Sequence, residues 1–145
     1  MSTLSMVPAR LIVLLCVPCV WAQTCSRAAC RVLNMAENQR SYSSVWVNDA
    51  IGTGHAQSMI NSAQAWSALT SNHAQYLQMD AGHEVQLVGI ATQGRHDSDQ
   101  WVTAYQVSTS TDGATFTPLG ETYMANSDRA TIVHNFFATP VQALY

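Results

Sequence analysis

The residues in this sequence that are best suited to catalysis are few and scattered. Its five histidines do not cluster, and no nucleophile elbow, zinc-protease motif or phosphate-binding glycine loop accompanies them. The densest polar group is residues 95–99 (RHDSD), but adjacent residues on one loop rarely converge on a single substrate atom. We therefore expect that the protein is not an enzyme, with a secreted hydrolase as the weaker alternative.

The same polar group contains possible metal ligands. Asp97 and Asp99 provide two carboxylates, and Ca²⁺ prefers several such hard oxygen ligands. Two acids are too few for a site, so we expect no cofactor and keep Ca²⁺ as a weaker possibility. Arg95 follows a predicted strand, and we expect a carboxylate inside the fold to hold it in a structural ion pair.

A second segment of interest is residues 45–52 (VWVNDAIG), which places a Trp and several aliphatic residues in a stretch that otherwise has the composition of a loop. If it is exposed, Trp46 can stack on the C–H face of a sugar or enter a membrane interface. The alternative is that Trp46 ends a buried strand.

The composition limits the partners of the protein. Of 145 residues only 10% are charged, no Lys is present, and the net charge is −3. Without a basic patch we expect no nucleic-acid binding. An anionic phospholipid surface favours a base near an apolar tip, whereas Asp49 is the charge in this segment. We therefore favour a cell-surface glycan or glycoprotein over phospholipid, and a contact with another protein is a third possibility. An aromatic side chain with amide and carboxylate neighbours, as at Trp46, Asn48 and Asp49, suits a sugar.

The N-terminus has the three-part pattern of a secretory signal peptide. Arg10 precedes an apolar run, residues 11–20 (LIVLLCVPCV), and Val20 and Ala22 occupy the −3 and −1 positions of a small-residue cleavage site. The pattern predicts a leader over residues 1–22 and a secreted, extracellular product that starts with a short segment, 23–29. An uncleaved membrane anchor is the alternative, although the run is short for a transmembrane helix.

The cysteines divide at the same boundary. Cys16 and Cys19 lie in the leader, and Cys25 and Cys30 remain. In an oxidising compartment the remaining two are disulfide candidates. They either pair with each other or need partners that this sequence does not supply, and the sequence does not choose between these alternatives.

The elements that must position these residues are strands. From Gln75 onward, short apolar runs alternate with turn signals such as residues 111–113 (TDG), whereas residues 50–71 show no clear period and are predicted to be loop. This pattern predicts an all-β sandwich or barrel. The predicted strands cover residues 76–79, 85–91, 101–108, 116–119, 131–137 and 141–145. The expected core aromatic and apolar residues are Trp66, Tyr76, Met79, Ile90 and Trp101.

A series of short segments carries a family resemblance. They are residues 30–35, 43–45, 62–66, 75–80, 88–95, 101–108, 110–113 and 126–128. In this order and spacing they resemble the discoidin domain, also called the coagulation factor V/VIII C-type domain. Residues 75–80 (QYLQMD) are similar to its Q-[WY]-L-Q-[VI]-D strand, and residues 88–95 (VGIATQGR) to its T-G-[IV]-x-T-Q-G-R segment.

The resemblance implies a fold and a site. The fold is an eight-stranded antiparallel β-sandwich or jelly roll, galactose-binding-domain-like, over residues 30–145, with binding loops at one end. The family's last strand and closing cysteine, which pairs with the opening one, are expected to be missing, and this leaves Cys30 without its family partner. The implied ligand-binding loop residues are Trp46, Val47, Asn48, Asp49, Gln64, Arg95, His96 and Asp97.

Overall fold

The computed structural model describes residues 10–16 and 30–145, with side chains from Arg31 onward. That part of the chain contains no α-helix, and so no helix there is long and apolar enough to cross a membrane. Two short 3-10 turns cover Glu37–Gln39 and Trp46–Asn48. The strands are β1 (Arg10–Cys16), β2 (Cys30–Leu33), β3 (Arg40–Tyr42), β4 (Leu77–Met79), β5 (Val85–Gln93), β6 (Ala104–Thr109), β7 (Thr117–Met124) and β8 (Val133–Ala143).

The strands form three antiparallel sheets. The largest has the order β2-β1-β5-β8, and the pairs β3-β4 and β6-β7 form two smaller sheets. Strand β5 lies between β1 and β8 in this sheet. Its residues, VQLVGIATQ, are almost continuously buried, as expected for a strand covered on both faces. The predicted all-β sandwich is confirmed.

The hydrophobic core joins the sheets. Leu87 and Ile90 of β5 pack with Val107 of β6 and with residues of β7 and β8. An aromatic series crosses this core, with Tyr123 stacked 5.6 Å from Tyr105 and tilted at 5.7 Å from Phe137. Such ring pairs add to the stability that their buried area alone provides.

Strand β8 differs from the prediction of two separate runs. It continues through Pro140 because its register with β5 shifts between Leu87 and Gly89, so that residues 137–140 lie opposite Val88 alone. A proline in such a bulge removes no ladder hydrogen bond. Strand β6 also begins later than predicted, at Ala104 rather than Trp101.

Among the expected core residues, Trp66 and Ile90 are buried, but the prediction for Tyr76 is wrong, because 58% of it is exposed. Side chains alternate between the two faces of a strand. The face of β4 that packs Met79 against the core also carries Leu77, and Tyr76 therefore lies on the other face.

The N-terminal predictions are described only in part. The cleavage site after Ala22, residues 23–29 with Cys25, and the side chain of Cys30 lie outside the described residues. The signal peptide and the disulfide stay predictions. Of the predicted leader, Arg10–Cys16 is described and forms β1.

A cleft of about 820 Å³ reaches from the surface to the core, and Leu77, Met79, Leu87, Tyr105 and Val107 are among its lining residues. These side chains belong to the core or flank it, and they offer no group of convergent charges. We therefore place the candidate site elsewhere, on the loops.

Candidate ligand-binding loops

Three loops meet at the Gln93 end of β5, and we call residues 45–56, 61–67 and 94–100 the loop end. The Trp46 N–H donates to the Ser67 carbonyl at 2.8 Å, which joins the first two loops. Gln64 Nε2 donates to Asp97 Oδ2 at 3.1 Å and joins the second to the third. The fold therefore brings together segments that are far apart in the sequence.

The tip of the first loop is apolar and exposed. Trp46 is 49% exposed, Val47 60% and Ile51 53%. The alternative that Trp46 ends a buried strand is wrong, because Val45 is the last extended residue and Trp46 begins the 3-10 turn with half of its surface exposed. Nothing in the described part of the fold covers these side chains, and several exposed apolar side chains on one short loop are a reason to consider it as an interaction site.

The backbone at this tip is strained. Val47 and Asn48 have φ angles of 54° and 56°, in the left-handed region that a β-branched residue rarely adopts. Each such residue costs about 1–3 kcal/mol, and strain of this kind is common at functional sites. At this turn Trp46 and Val47 both lie at the surface.

Asp49 closes the first loop. Its Oδ2 accepts a hydrogen bond from the His55 backbone N–H at 2.8 Å and lies 2.9 Å from His55 Nδ1. The backbone donor, and then the imidazole, hold the pKa of Asp49 below its ordinary value. Gly54 permits this contact, because its φ of 45° is left-handed and a Cβ there would collide with the Asp49 carboxylate.

Arg95 closes the third loop. Its Nε donates to Asp97 Oδ1 at 2.5 Å, and its Nη1 donates to Gln100 Oε1 at 2.9 Å. Arg95 does form an ion pair, but the expectation that its carboxylate lies inside the fold is wrong, because the partner is the exposed Asp97, two residues further along the chain. The Arg95 hydrogen bond lowers the pKa of Asp97. The guanidinium charge is therefore compensated locally.

The remaining predicted residues, Asn48 and His96, are both exposed at the loop end. Asp99 is exposed too, and its Oδ1 lies 3.7 Å from Arg129 Nε. Among the described residues, no group of three or more His, Cys, Asp or Glu side chains is placed to hold a metal ion.

Sequence reasoning missed a buried polar network beneath the loops. Arg40 is only 3% exposed, and its guanidinium donates to the carbonyls of Met35 and Ser58 at 2.9 and 2.8 Å. Burial is the main cause that lowers the pKa of Arg40. The sequence provides little signal for this role, because Arg40 lies in a polar stretch that has the composition of a surface segment.

Glu37 completes that network. Its Oε1 accepts from the backbone N–H groups of Ser58 and Met59 at 2.7 and 2.9 Å, and its Oε2 accepts from the Tyr42 hydroxyl at 2.8 Å. The Tyr42 ring in turn stacks on buried Trp66, with centroids 5.6 Å apart. The network fixes residues 56–59, which continue directly from the first loop.

Two exposed apolar residues near the tip were also not among the predicted site residues. Ile51 is in the first loop, and Leu69, 48% exposed, donates its backbone N–H to Ser44 Oγ at 3.1 Å. Ile51 belongs to the VWVNDAIG segment, so its sequence position was a usable signal. Leu69 offered none, because its place beside residue 44 depends on the fold.

Comparison with known proteins agrees with this architecture. The sequence model of the F5/8 type C domain matches residues 39–145. The chain is 38% identical over 88 residues to the B/C form of Discoidin-1 from Dictyostelium discoideum, in an alignment that covers 58% of this chain and 34% of that protein. It is 34% identical over 90 residues to lactadherin of Bos taurus, in an alignment that covers 56% of this chain and 21% of that protein. The chain thus spans about a third or less of the length of these relatives, and the resemblance to the discoidin domain is confirmed.

Proposed function

Because the chain belongs to the F5/8 type C (discoidin) domain family, whose members are generally non-enzymatic binding modules, we propose that it is a secreted binding module for a cell-surface glycan or glycoprotein. The ligand contacts are assigned to the loop end. The rigid strands position these loops, which is the usual division of labour between a sandwich and its connections.

One observation carries the choice of a glycan. Trp46 presents a half-exposed indole beside exposed Asn48 and half-buried Asp49 and His55. An aromatic face suits the C–H surface of a sugar ring, and amide, carboxylate and imidazole groups at its border suit the hydroxyls.

The charges support a neutral ligand. Arg95 faces Asp97, and Arg129 lies near Asp99, so each guanidinium in this region has a carboxylate close to it. A phosphate or sulfate group favours an uncompensated cation. A neutral sugar has no such requirement.

A second candidate is a phospholipid surface. The observation in its favour is that Val47, Ile51 and Leu69 are exposed near Trp46. Aliphatic side chains with an adjacent Trp insert readily into the interface of a bilayer. A sugar gains less from these aliphatic groups, and their substitution separates the two candidates.

The test uses the full chain expressed through a secretory pathway. The secreted product is applied to a glycan array and is sedimented with phosphatidylcholine vesicles, with and without phosphatidylserine. We expect glycan binding that Trp46→Ala weakens at least tenfold. Phe116→Ala, which removes a 39% exposed aromatic outside the loop end, is the matched control and should leave binding unchanged.

The variant Val47→Asp separates glycan binding from phospholipid binding more sharply. Vesicle binding that this variant abolishes, together with an empty glycan array, establishes the phospholipid alternative. A folded chain that binds neither glycans nor vesicles, or that binds equally well after Trp46→Ala, contradicts the assignment of the loop end.

A further inference from the structure

Strand β1 occupies an interior position in the largest sheet. Its residues Val13–Cys16 lie opposite Leu33–Cys30 of β2, and Arg10–Cys16 lies opposite Gln93–Gln86 of β5, both antiparallel. The two neighbours therefore each depend on β1 for one row of backbone hydrogen bonds.

This strand is also the apolar part of the predicted leader. Cleavage after Ala22 removes it and leaves a space between the facing edges of β2 and β5, which we call the acceptor gap. Strand β2 then loses the neighbour that holds it in the sheet, and β5 keeps only β8.

An open acceptor gap is unfavourable because β5 is a buried strand. Leu87, Ile90 and Thr92 are each less than a tenth exposed, and both faces of the strand are covered. Unpaired backbone N–H and C=O groups beside such a strand are strong sites for the addition of another strand.

The occupant in the structure defines the chemistry that fits. After Arg10, which lies opposite Gln93 at the end of β5, the strand contains six uncharged apolar residues. A charge in the middle of the segment is disfavoured next to the buried part of β5. The fitting partner is an extended, uncharged apolar segment of about seven residues that runs antiparallel to β5.

We propose that the acceptor gap is a strand-binding site: Arg10–Cys16 fills it in the full chain, and an apolar extended segment of another polypeptide fills it after cleavage behind Ala22. This site lies in the sheet and is separate from the loop end. The chain can therefore join a partner through its sheet while the loops contact a ligand.

The experiment starts from the full chain with a protease site inserted between Ala22 and Gln23. The purified chain is cut under reducing conditions and mixed with a labelled peptide of residues 10–16, with Cys16→Ser and with solubilising lysines outside the seven residues. We expect saturable binding by fluorescence anisotropy and slower amide hydrogen exchange over Gln86–Gln93.

Two peptides serve as controls. Val13→Pro lacks one N–H at a position that pairs with both β2 and β5, away from the register shift at Leu14 and Leu15, and Val13→Asp places a charge there. Both should bind at least tenfold more weakly. A proline peptide that binds as tightly as the parent overturns the proposal.

The cut chain itself provides the other outcomes. If it stays monomeric without the released fragment, with unchanged exchange over β5 and no peptide binding, the proposal is wrong. If it aggregates, the parent peptide is added before the cut: a chain kept soluble by that peptide alone supports the proposal, and a chain that aggregates regardless overturns it.

Discussion

A loop lies near each end of β5. In both loops an aspartate accepts hydrogen bonds from nearby backbone, but the side chains that the two loops present to solvent differ. At the Gln93 end, Asp49 accepts from His55 N–H; at the Val85 end, Asp112 Oδ1 accepts from the N–H groups of Ala114 and Thr115, both at 2.8 Å. Local donors lower the pKa of both carboxylates. Hydrogen bonds that nearby backbone N–H groups donate to an aspartate therefore stabilise both loops, and they do not distinguish a binding site.

The difference lies in what surrounds each aspartate. The turn at residues 110–115 carries small and polar side chains, and Ser110 bonds to the backbone of Leu144 and Tyr145. The loop end instead exposes Trp46, Val47 and Ile51, and it is supported by the network of buried Arg40 and half-buried Glu37. This apolar tip on a rigid polar base is the property for which we propose the loop end as the interaction surface.

The largest expected effect separates two tryptophans of that end. Trp66 is 4% exposed and its Nε1 donates to the Ser44 carbonyl, so we expect Trp66→Ala to lower the free energy of unfolding by about 3–5 kcal/mol. Trp46→Ala should change it by no more than about 0.5 kcal/mol, because its indole is half exposed. Denaturant unfolding measures both, and equal losses would mean that Trp46 belongs to the core.

A smaller loss is expected from the base of the loops. Glu37→Ala leaves the N–H groups of Ser58 and Met59 without their acceptor, which should cost about 1–3 kcal/mol. Glu37→Gln keeps one carbonyl oxygen and should cost less. Thermal unfolding of both variants tests this order. A Glu37→Ala variant with unchanged stability would show that the network does not support the loops.

The glycines permit a matched test of the loop closure. Gly54 and Gly120 both have left-handed φ angles, of 45° and 80°, but a Cβ at Gly120 meets nothing within 4 Å. Gly120→Ala should cost about 1–2 kcal/mol from backbone strain alone. Gly54→Ala should cost more and weaken ligand binding, because its Cβ displaces Asp49. Equal unfolding free energies for the two variants would contradict the predicted collision between a Cβ at position 54 and the Asp49 carboxylate.

The smallest effect is the response to acid. The folded pKa values of Asp49 and Asp112 lie below the ordinary value of 3.8, so the stability they contribute is present above that pH and is lost as the pH falls through the folded values. Asp49 has two partners, the backbone N–H and the ring Nδ1 of His55. Asp112 accepts from three donors, the N–H groups of Ala114 and Thr115 and Ser110 Oγ. We expect backbone amide shifts in an NMR titration to show the Asp49 loop loosening at a higher pH than the Asp112 turn. The reverse order contradicts this view.

The sequence by itself determined the all-β class, the approximate positions of the strands from β4 onward, and the family. Local periodicity is enough to identify the near-continuous apolar run of β5 and the alternation in β4 as strands. The ordered motifs point to the discoidin domain without any knowledge of the fold. Residues 45–52 also stood out, because a Trp in a loop-like stretch is visible in the sequence alone. Exposure was not visible there, since Trp46 and Tyr76 each fit a core position as well as a surface one.

Only the tertiary structure decided which loops meet and which charges are buried. Gln64 and Asp97 are 33 residues apart, and Arg40 reaches Ser58 across 18, so both contacts exist only because strand pairing brings distant segments together. The same is true of the N-terminal apolar run: its composition predicts a leader, whereas pairing with β2 and β5 places Arg10–Cys16 in the interior of the sheet. Local sequence fixes what a segment can become, and long-range backbone pairing selects its partner, because that choice depends on edges formed elsewhere in the chain.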